Sequence, residues 1–306
     1  MYFFAEPERR SVARVAIAGV ICRAALVLFA DACPSVARAG PAVNQFEVKD
    51  LEVEVGRWEF QSQNAYSWNQ PDRKWIEVAP GEFVFDDNTV TRQRYALEIE
   101  LGVTSRFRSR FGIEFEQERV DDPISVENRN DFNSLEFEEL ALEGVFVLLP
   151  VTGTGVGLGL LAEYQYTLED SEADSFVFGP IVEMVSERWS MILNPALVQF
   201  FNGADEDNKL DFSYAIQLAY SLSDDWLLAM EAYGTIDRLG STGMPGIETQ
   251  LFGDHDLHRL GPIAYFQKDI GNGNDQSELR LGVGILAGLN DNTAGGTFKL
   301  SIEYEF

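Results

Sequence analysis

The dominant signal in the chain is a period-two alternation of apolar and polar residues. In the ten residues Thr297 to Phe306, the side chains Phe298, Leu300, Ile302, Tyr304 and Phe306 fall on one face. Thr297, Lys299, Ser301, Glu303 and Glu305 fall on the other. Side chains alternate sides along a strand, so the segment predicts a β-strand with one apolar and one polar face. The pattern recurs over Tyr95 to Gly102, Arg106 to Glu116, Val156 to Leu168, Leu210 to Tyr220 and Leu279 to Leu289. Read throughout, it predicts twelve strands, near residues 56–68, 89–102, 105–119, 134–150, 156–168, 175–186, 189–202, 209–221, 226–237, 257–268, 276–289 and 297–306.

Alternation alone does not separate a soluble sheet from a membrane one. The connections do more. Short ones fall near Val103 to Ser105, Val151 to Gly155, Glu187 to Arg188 and Leu222 to Asp225. Longer ones intervene at Asn69 to Asn88, Val120 to Asn133, Glu169 to Asp174, Gly203 to Asn208, Arg238 to Asp256 and Asn290 to Gly296. Short turns on one rim and long loops on the other characterise outer-membrane barrels; Asp269 to Asp275 is long for its rim. Trp58, Trp68, Tyr164, Tyr166, Trp189, Phe200, Phe201, Trp226 and Phe306 sit near strand ends, as interfacial girdles require. Pro180, Pro195 and Pro262 fall inside strands and predict bulges or a strained ladder. The expected fold is an all-β, antiparallel up-and-down transmembrane β-barrel of about twelve strands (ten to fourteen) over residues 56–306.

The first forty residues read differently. Arg9, Arg10 and Arg14 precede an apolar run from Val15 to Ala30, interrupted by Arg23, and Ala37-Arg38-Ala39 supplies a small-x-small cleavage pattern. Residues 1–39 are therefore expected to be a secretory signal peptide. Cys22 and Cys33 both lie inside it, so the mature chain has no thiolate ligand and no disulfide. Acylation at Cys33 is an alternative that Asp31 disfavours. Residues 40–55 carry alternating acids and read as a periplasmic extension or a segment inside the lumen.

Charge narrows the partners. The net charge is −27, and loss of the leader removes five basic and three acidic residues, leaving −29. Nucleic acid is excluded as a partner, because binding phosphates needs Lys and Arg in excess. The acidic runs Asp86-Asp87, Glu169-Asp170-Ser171-Glu172 and Asp205-Glu206-Asp207 read as a solvated rim, or as sites where divalent cations bridge to anionic headgroups. Expected partners are outer-membrane lipid and lipopolysaccharide, and the barrel-assembly machinery through the C-terminal strand. The expected location is the outer membrane, reached through the periplasm.

Several stretches resemble a known family. The hairpin YALEIELGVTSRFRSRFGIEFEQ, the segments VGLGLLAEYQYTLED and HRLGPIAYF, and the end LGVGILAGLNDNTAGGTFKLSIEYEF resemble the MetA-pathway of phenol degradation family of proteobacterial outer-membrane β-barrels. The resemblance covers Tyr95 to Phe306. It implies an outer-membrane barrel passing small molecules, including aromatic or apolar ones. It brings no catalytic residues and no cofactor.

The polar face is the candidate functional surface. Arg106, Arg108 and Arg110 read as a basic ladder along one strand, with Glu98 and Glu100 on the preceding strand and Glu114 and Glu116 further along the same one. Glu163, Gln165, Gln217, Arg280, Lys299 and Glu303 occupy the same face of other strands. These residues are expected to line the lumen and set selectivity, as charged rings do in pores, or to neutralise one another in a plugged barrel. Twelve strands lie between barrels filled by side chains and open porins. Catalysis has little support, and no enzyme activity is expected. His255 and His258 are the two histidines, and a lipid-acting enzyme would need His258 and a Ser on the outer face. Asp254, His255, Asp256 and His258 resemble a metal cluster but read better as a solvated loop. The Gly-rich GTGVGLG from Gly153 is not a phosphate loop, since no helix follows it; small lumen-facing residues fit better.

Overall fold

A computed structural model describes residues 46–71, 75–79, 82–85, 88–121, 132–168, 173–202, 209–240, 256–270 and 277–306. The expected leader with its two cysteines, Asp254, His255 and the three acidic loop runs lie outside the described residues. The strands are β1 (Trp58–Pro71), β2 (Trp75–Ala79), β3 (Glu82–Phe85), β4 (Thr89–Thr104), β5 (Phe107–Val120), β6 (Glu136–Leu149) and β7 (Gly155–Thr167). They continue as β8 (Asp174–Val185), β9 (Trp189–Phe201), β10 (Leu210–Ser221), β11 (Trp226–Ile236), β12 (Leu257–Ile270), β13 (Ser277–Gly288) and β14 (Gly296–Glu305). Strands β1 and β4 to β14 form one closed antiparallel barrel of neighbours in sequence order. The remaining two form a hairpin inside the expected long connection from Asn69 to Asn88. Runs of four and five residues are too short for a period-two pattern to declare itself.

The seam joins β14 to β1. The Trp58 N–H donates to the Phe306 carbonyl (3.1 Å), and the Phe306 N–H donates back to Trp58 (2.8 Å). The alternation of β14 acquires its meaning here. Phe298, Leu300, Ile302, Tyr304 and Phe306 point outward and are exposed, while Thr297, Lys299 and Ser301 point inward and are buried. Every barrel strand repeats this, with Phe60, Ile99, Phe111, Leu142, Tyr164, Phe178, Leu197, Leu218, Met230, Leu260 and Ile285 among the exposed side chains. Each large apolar side chain kept from water gains roughly 1.5–3 kcal/mol. A continuous apolar belt is therefore stable only against lipid, and the barrel is membrane-spanning in design.

Aromatic pairs mark both rims. Trp189 packs on Tyr220 (4.8 Å between centroids), Trp226 on Phe266 (5.1 Å) and Tyr304 on Phe306 (5.7 Å) at the short-turn rim. Tyr66 meets Trp68, and Tyr164 stacks on Phe201, at the other. The three prolines coincide with gaps in pairing. The β8–β9 register skips from Phe178–Leu197 to Val182–Leu193, around Pro180 and Pro195. The β12–β13 register skips from Leu260–Ala287 to Ile263–Gly284, around Pro262. A proline has no N–H to give the ladder, so pairing lapses where it sits.

Candidate functional site in the barrel lumen

The lumen is occupied by the chain's own residues 46–55, which run from the outer half of the barrel down to the start of β1 at the short-turn rim. At that rim the Gly56 N–H donates to the Gly102 carbonyl (2.7 Å), and the Gly102 N–H to the Arg57 carbonyl (3.1 Å). Any side chain at position 102 would put its Cβ 1.9 Å from the Glu54 carbonyl oxygen. Glycine there lets the segment turn inward against the wall.

The two sides of the lumen hold the segment differently. Strands β6 to β9 present Val145, Val147, Leu161, Val177, Ile181, Ile192, Ala196 and Val198, all buried. Leu51 joins this cluster, with Val48 and Val53 beside it. The Leu51 side chain sits where β-carbons on Gly157 or Gly159 would come within about 2.6 Å of it, so the glycine-rich start of β7 is a socket. In the same wall, Asn194 treats the segment as a strand. The Lys49 N–H donates to Asn194 Oδ1 (2.8 Å), and the Asn194 amide donates to the Lys49 carbonyl (2.9 Å).

Strands β4 and β5 are charged where they face the segment. Arg110 donates to both Glu100 (2.8 Å) and Glu98 (3.1 Å), and it also pairs with Glu47 of the segment. Arg108 donates to Asp50 Oδ1 (3.0 Å) and to the carbonyls of Asp50 (3.0 Å) and Glu52 (2.9 Å). Lys49 lies 2.8 Å from Glu143 and pairs with Glu47. Burial alone would raise the Glu47 carboxyl, but Arg110 and Lys49 outweigh it and hold that group well below the usual range. Burial and Arg110 would lower the Lys49 ammonium, and Glu143, Glu47 and Glu98 hold it above its ordinary value instead. Glu52 is pushed up to about 7, first by the Asp50 carboxylate and then by partial enclosure.

A third group secures the upper end. Phe46 packs edge-on against Tyr233 (5.5 Å), whose hydroxyl lies 2.8 Å from the Phe46 carbonyl oxygen. That hydroxyl also donates to Glu231 (2.6 Å), and Glu231 pairs with Lys299 (2.8 Å) and accepts from Gln217 (2.8 Å). Below the segment, an open vestibule separates it from β13, β14 and β1. Asp50, Glu52, Glu59, Glu278, Glu303 and Glu305 line it, with Arg57, Arg108, Arg110 and Arg280 as cations among them.

The residues singled out in sequence are largely brought together. Glu98, Glu100, Arg108, Arg110, Glu116, Glu163, Gln165, Gln217 and Lys299 are buried on the luminal side. Glu114, Arg280 and Glu303 are half-buried on the luminal side, the last two 3.5 Å apart. Gln165 donates to Glu163 (2.9 Å) and pairs with Ser175, away from the segment. Arg106 departs from the expected ladder: β5 begins at Phe107, and Arg106 is exposed in the preceding turn. Asn194, Glu143, Glu231, Tyr233 and Arg259 escaped the sequence reading. Their signal was a lone polar residue at an inward position, as Asn194 is in WSMILNPALVQFF and Glu231 in WLLAMEAYGTI.

His258 faces inward and is buried; its Nδ1 lies 2.8 Å from the Tyr214 hydroxyl, and its N–H donates to Thr293 Oγ1 (2.9 Å). That is not the lipid-facing position an enzyme acting on bilayer lipid would need. Among the described residues no group of His, Cys, Asp and Glu is placed to hold a metal ion.

No family model matches the chain, and no curated protein does. Solved structures do. An outer-membrane channel from Pseudomonas putida F1 superposes with a TM-score of 0.55 at 13% identity, covering 85% of this chain and 99% of that one. The transport unit of the autotransporter AIDA-I from Escherichia coli gives 0.43 at 10% identity, covering 86% and 94%. A Pseudomonas aeruginosa FadL homologue gives 0.33 at 8%, covering 82% and 89%. The first of these likenesses, together with the closed twelve-strand topology, establishes the fold of this chain as a closed antiparallel twelve-stranded β-barrel, the fold that this outer-membrane channel also has.

Proposed function

We propose that this protein resides in the outer membrane, reached through the periplasm, and passes small polar molecules, with residues 46–55 as the element that limits passage. One observation carries the reading: the segment is held over the vestibule largely by ion pairs and hydrogen bonds that water and a solute can replace. A dry apolar plug would offer no such exchange. The lining favours a polar solute over an aromatic or apolar one, and the excess of carboxylates favours cations. The outward face of β14 is the surface suited to the barrel-assembly machinery, and the apolar belt and girdles are suited to lipid and lipopolysaccharide.

The test is conductance in a planar bilayer. The intact protein is expected to give small, intermittent, cation-selective currents. Deleting Phe46 to Glu54 is expected to give large, sustained ones. A deletion variant that folds and conducts no more than the intact protein would overturn the gating role. A second reading, a closed structural barrel, is favoured by the way Arg110 ties two carboxylates of β4 to the segment. It predicts no current from the intact protein under any voltage or salt gradient.

A further inference from the structure

Among the described residues, one cation in the lumen is not accounted for by any ion pair. Arg259, near the outer end of β12, is 4% exposed. Its guanidinium lies over the Phe46 ring, 4.9 Å from the centroid. Among the described residues no carboxylate lies within ion-pairing distance of it, and its buried Nε has no hydrogen-bond partner. Among the described residues the charged groups that act on it are Arg92 and Arg94, both cations, and all three line one small pocket. Ser67 and Gln70 complete its polar lining.

Arg92 and Arg94 are engaged on their other sides. Arg92 reaches Glu116 (2.8 Å) and Glu118 (3.0 Å), and Arg94 shares Glu116. Among the described residues Arg259 has no such counterweight. Phe46 covers one face of its guanidinium, and among the described residues its Nε–H has no acceptor. A buried unpaired charge is strongly unfavourable, and a guanidinium edge matches the two oxygens of a carboxylate or phosphate. In a lumen dominated by carboxylates, this is a place built for the opposite sign.

We propose that Arg259, with Arg92 and Arg94, forms an anion site in the outer half of the lumen that takes one small oxyanion, the carboxylate or phosphate group of a soluble molecule. The site is bounded below by Phe46, so it adjoins the luminal segment and faces the long-loop side of the barrel. It stands whether or not the barrel conducts.

The test is calorimetric titration of the purified full barrel in detergent micelles with inorganic phosphate, and separately with acetate, at fixed ionic strength in chloride. Saturable binding of one anion per barrel is expected. Arg259→Gln should weaken it by about tenfold or more, as loss of a charge-assisted fork implies. Lys268→Gln, at the opposite rim, should leave it unchanged. Binding of phosphate alone assigns a phosphate group, and binding of both anions assigns an oxyanion generally. Should Arg259→Gln fail to fold, Arg259→Lys, which keeps the charge and loses the fork, serves in its place with weaker binding expected. Absence of saturable binding to the intact protein, or equal binding by the Arg259 variant, overturns the site.

Discussion

The two walls of the lumen grip one short segment by opposite physics. Against β6 to β9, Leu51 fills a socket floored by glycines, where side-chain contact is non-directional and short-ranged, while Asn194 and Glu183 hold the backbone of the segment by hydrogen bonds. Against β4 and β5, Glu47 and Asp50 meet Arg110 and Arg108, and contact is directional, charged and open to water at the vestibule. The segment serves both because its pattern slips by one residue at Lys49-Asp50. Before that point, Phe46 and Val48 alternate with Glu47. After it, Leu51 and Val53 alternate with Asp50, Glu52 and Glu54. Asn194 pins the backbone where the phase changes. The difference teaches that one wall sets where the segment lies and the other sets the conditions under which it stays.

The sharpest way to break the comparison is at the charged wall. Arg110→Met removes the cation shared by Glu47, Glu98 and Glu100 and leaves buried carboxylates uncompensated, at a cost of about 3–5 kcal/mol. The expected result is a lowered thermal midpoint of the barrel itself together with a released segment, read by melting in detergent and by bilayer current. A variant with unchanged midpoint would show that the network is already hydrated and adds little.

Leu51→Ala acts on the other wall and should spare the barrel. Removing the side chain from its socket costs about 2–3 kcal/mol of docking, a shift of roughly two decades in the docked-to-free ratio. More frequent channel opening at an unchanged melting midpoint is expected. Loss of barrel stability instead would mean that the segment is part of the core.

The smallest effect is a pH dependence. Glu52 sits in the lumen with its carboxyl raised to about 7, facing Asp50, Glu305 and Glu278, with Arg280 opposing them. A raised carboxyl binds its proton more readily when docked than when free. The contribution of Glu52 to docking is therefore full below about pH 4.5 and is lost as pH rises through 7. Openings should be rarer at pH 5 than at pH 8, and Glu52→Gln should flatten the profile. A profile that keeps its slope in that variant would place the titration elsewhere.

Much of this fold was legible in advance, for a physical reason. Lipid outside and polar groups inside impose opposite demands on neighbouring residues, so every spanning strand carries its own orientation, as Phe298 to Phe306 does. Register and closure enforce the rest. The luminal segment was only half legible. Its alternation fits a periplasmic strand equally well, and the partners that decide the matter, Asn194, Arg108 and Arg110, lie far off in sequence. Arg106 failed for a local reason, since alternation continues into a turn whose side chains no longer alternate in space. Arg259 was invisible because a cation signals nothing by itself; its lack of a counter-charge exists only in three dimensions.

The seam between Trp58 and Phe306 has a consequence for assembly. A ladder of ten paired positions, ended by the two Trp58–Phe306 hydrogen bonds, joins the first barrel strand to the last, so the cylinder stays an open sheet until β14 is delivered. Contacts of such long sequence separation form slowly. The luminal segment is tethered directly to β1, on one lip of that gap. Insertion through a closed rim would require stripping its charged side chains of water along a narrow path. Its simplest route inside is to lie along the open sheet and be enclosed as the lips meet, so that Arg108, Arg110 and Asn194 are engaged before the cylinder is sealed. The occupied lumen is then a product of the order of events, and a barrel circularly permuted to begin elsewhere would close around water.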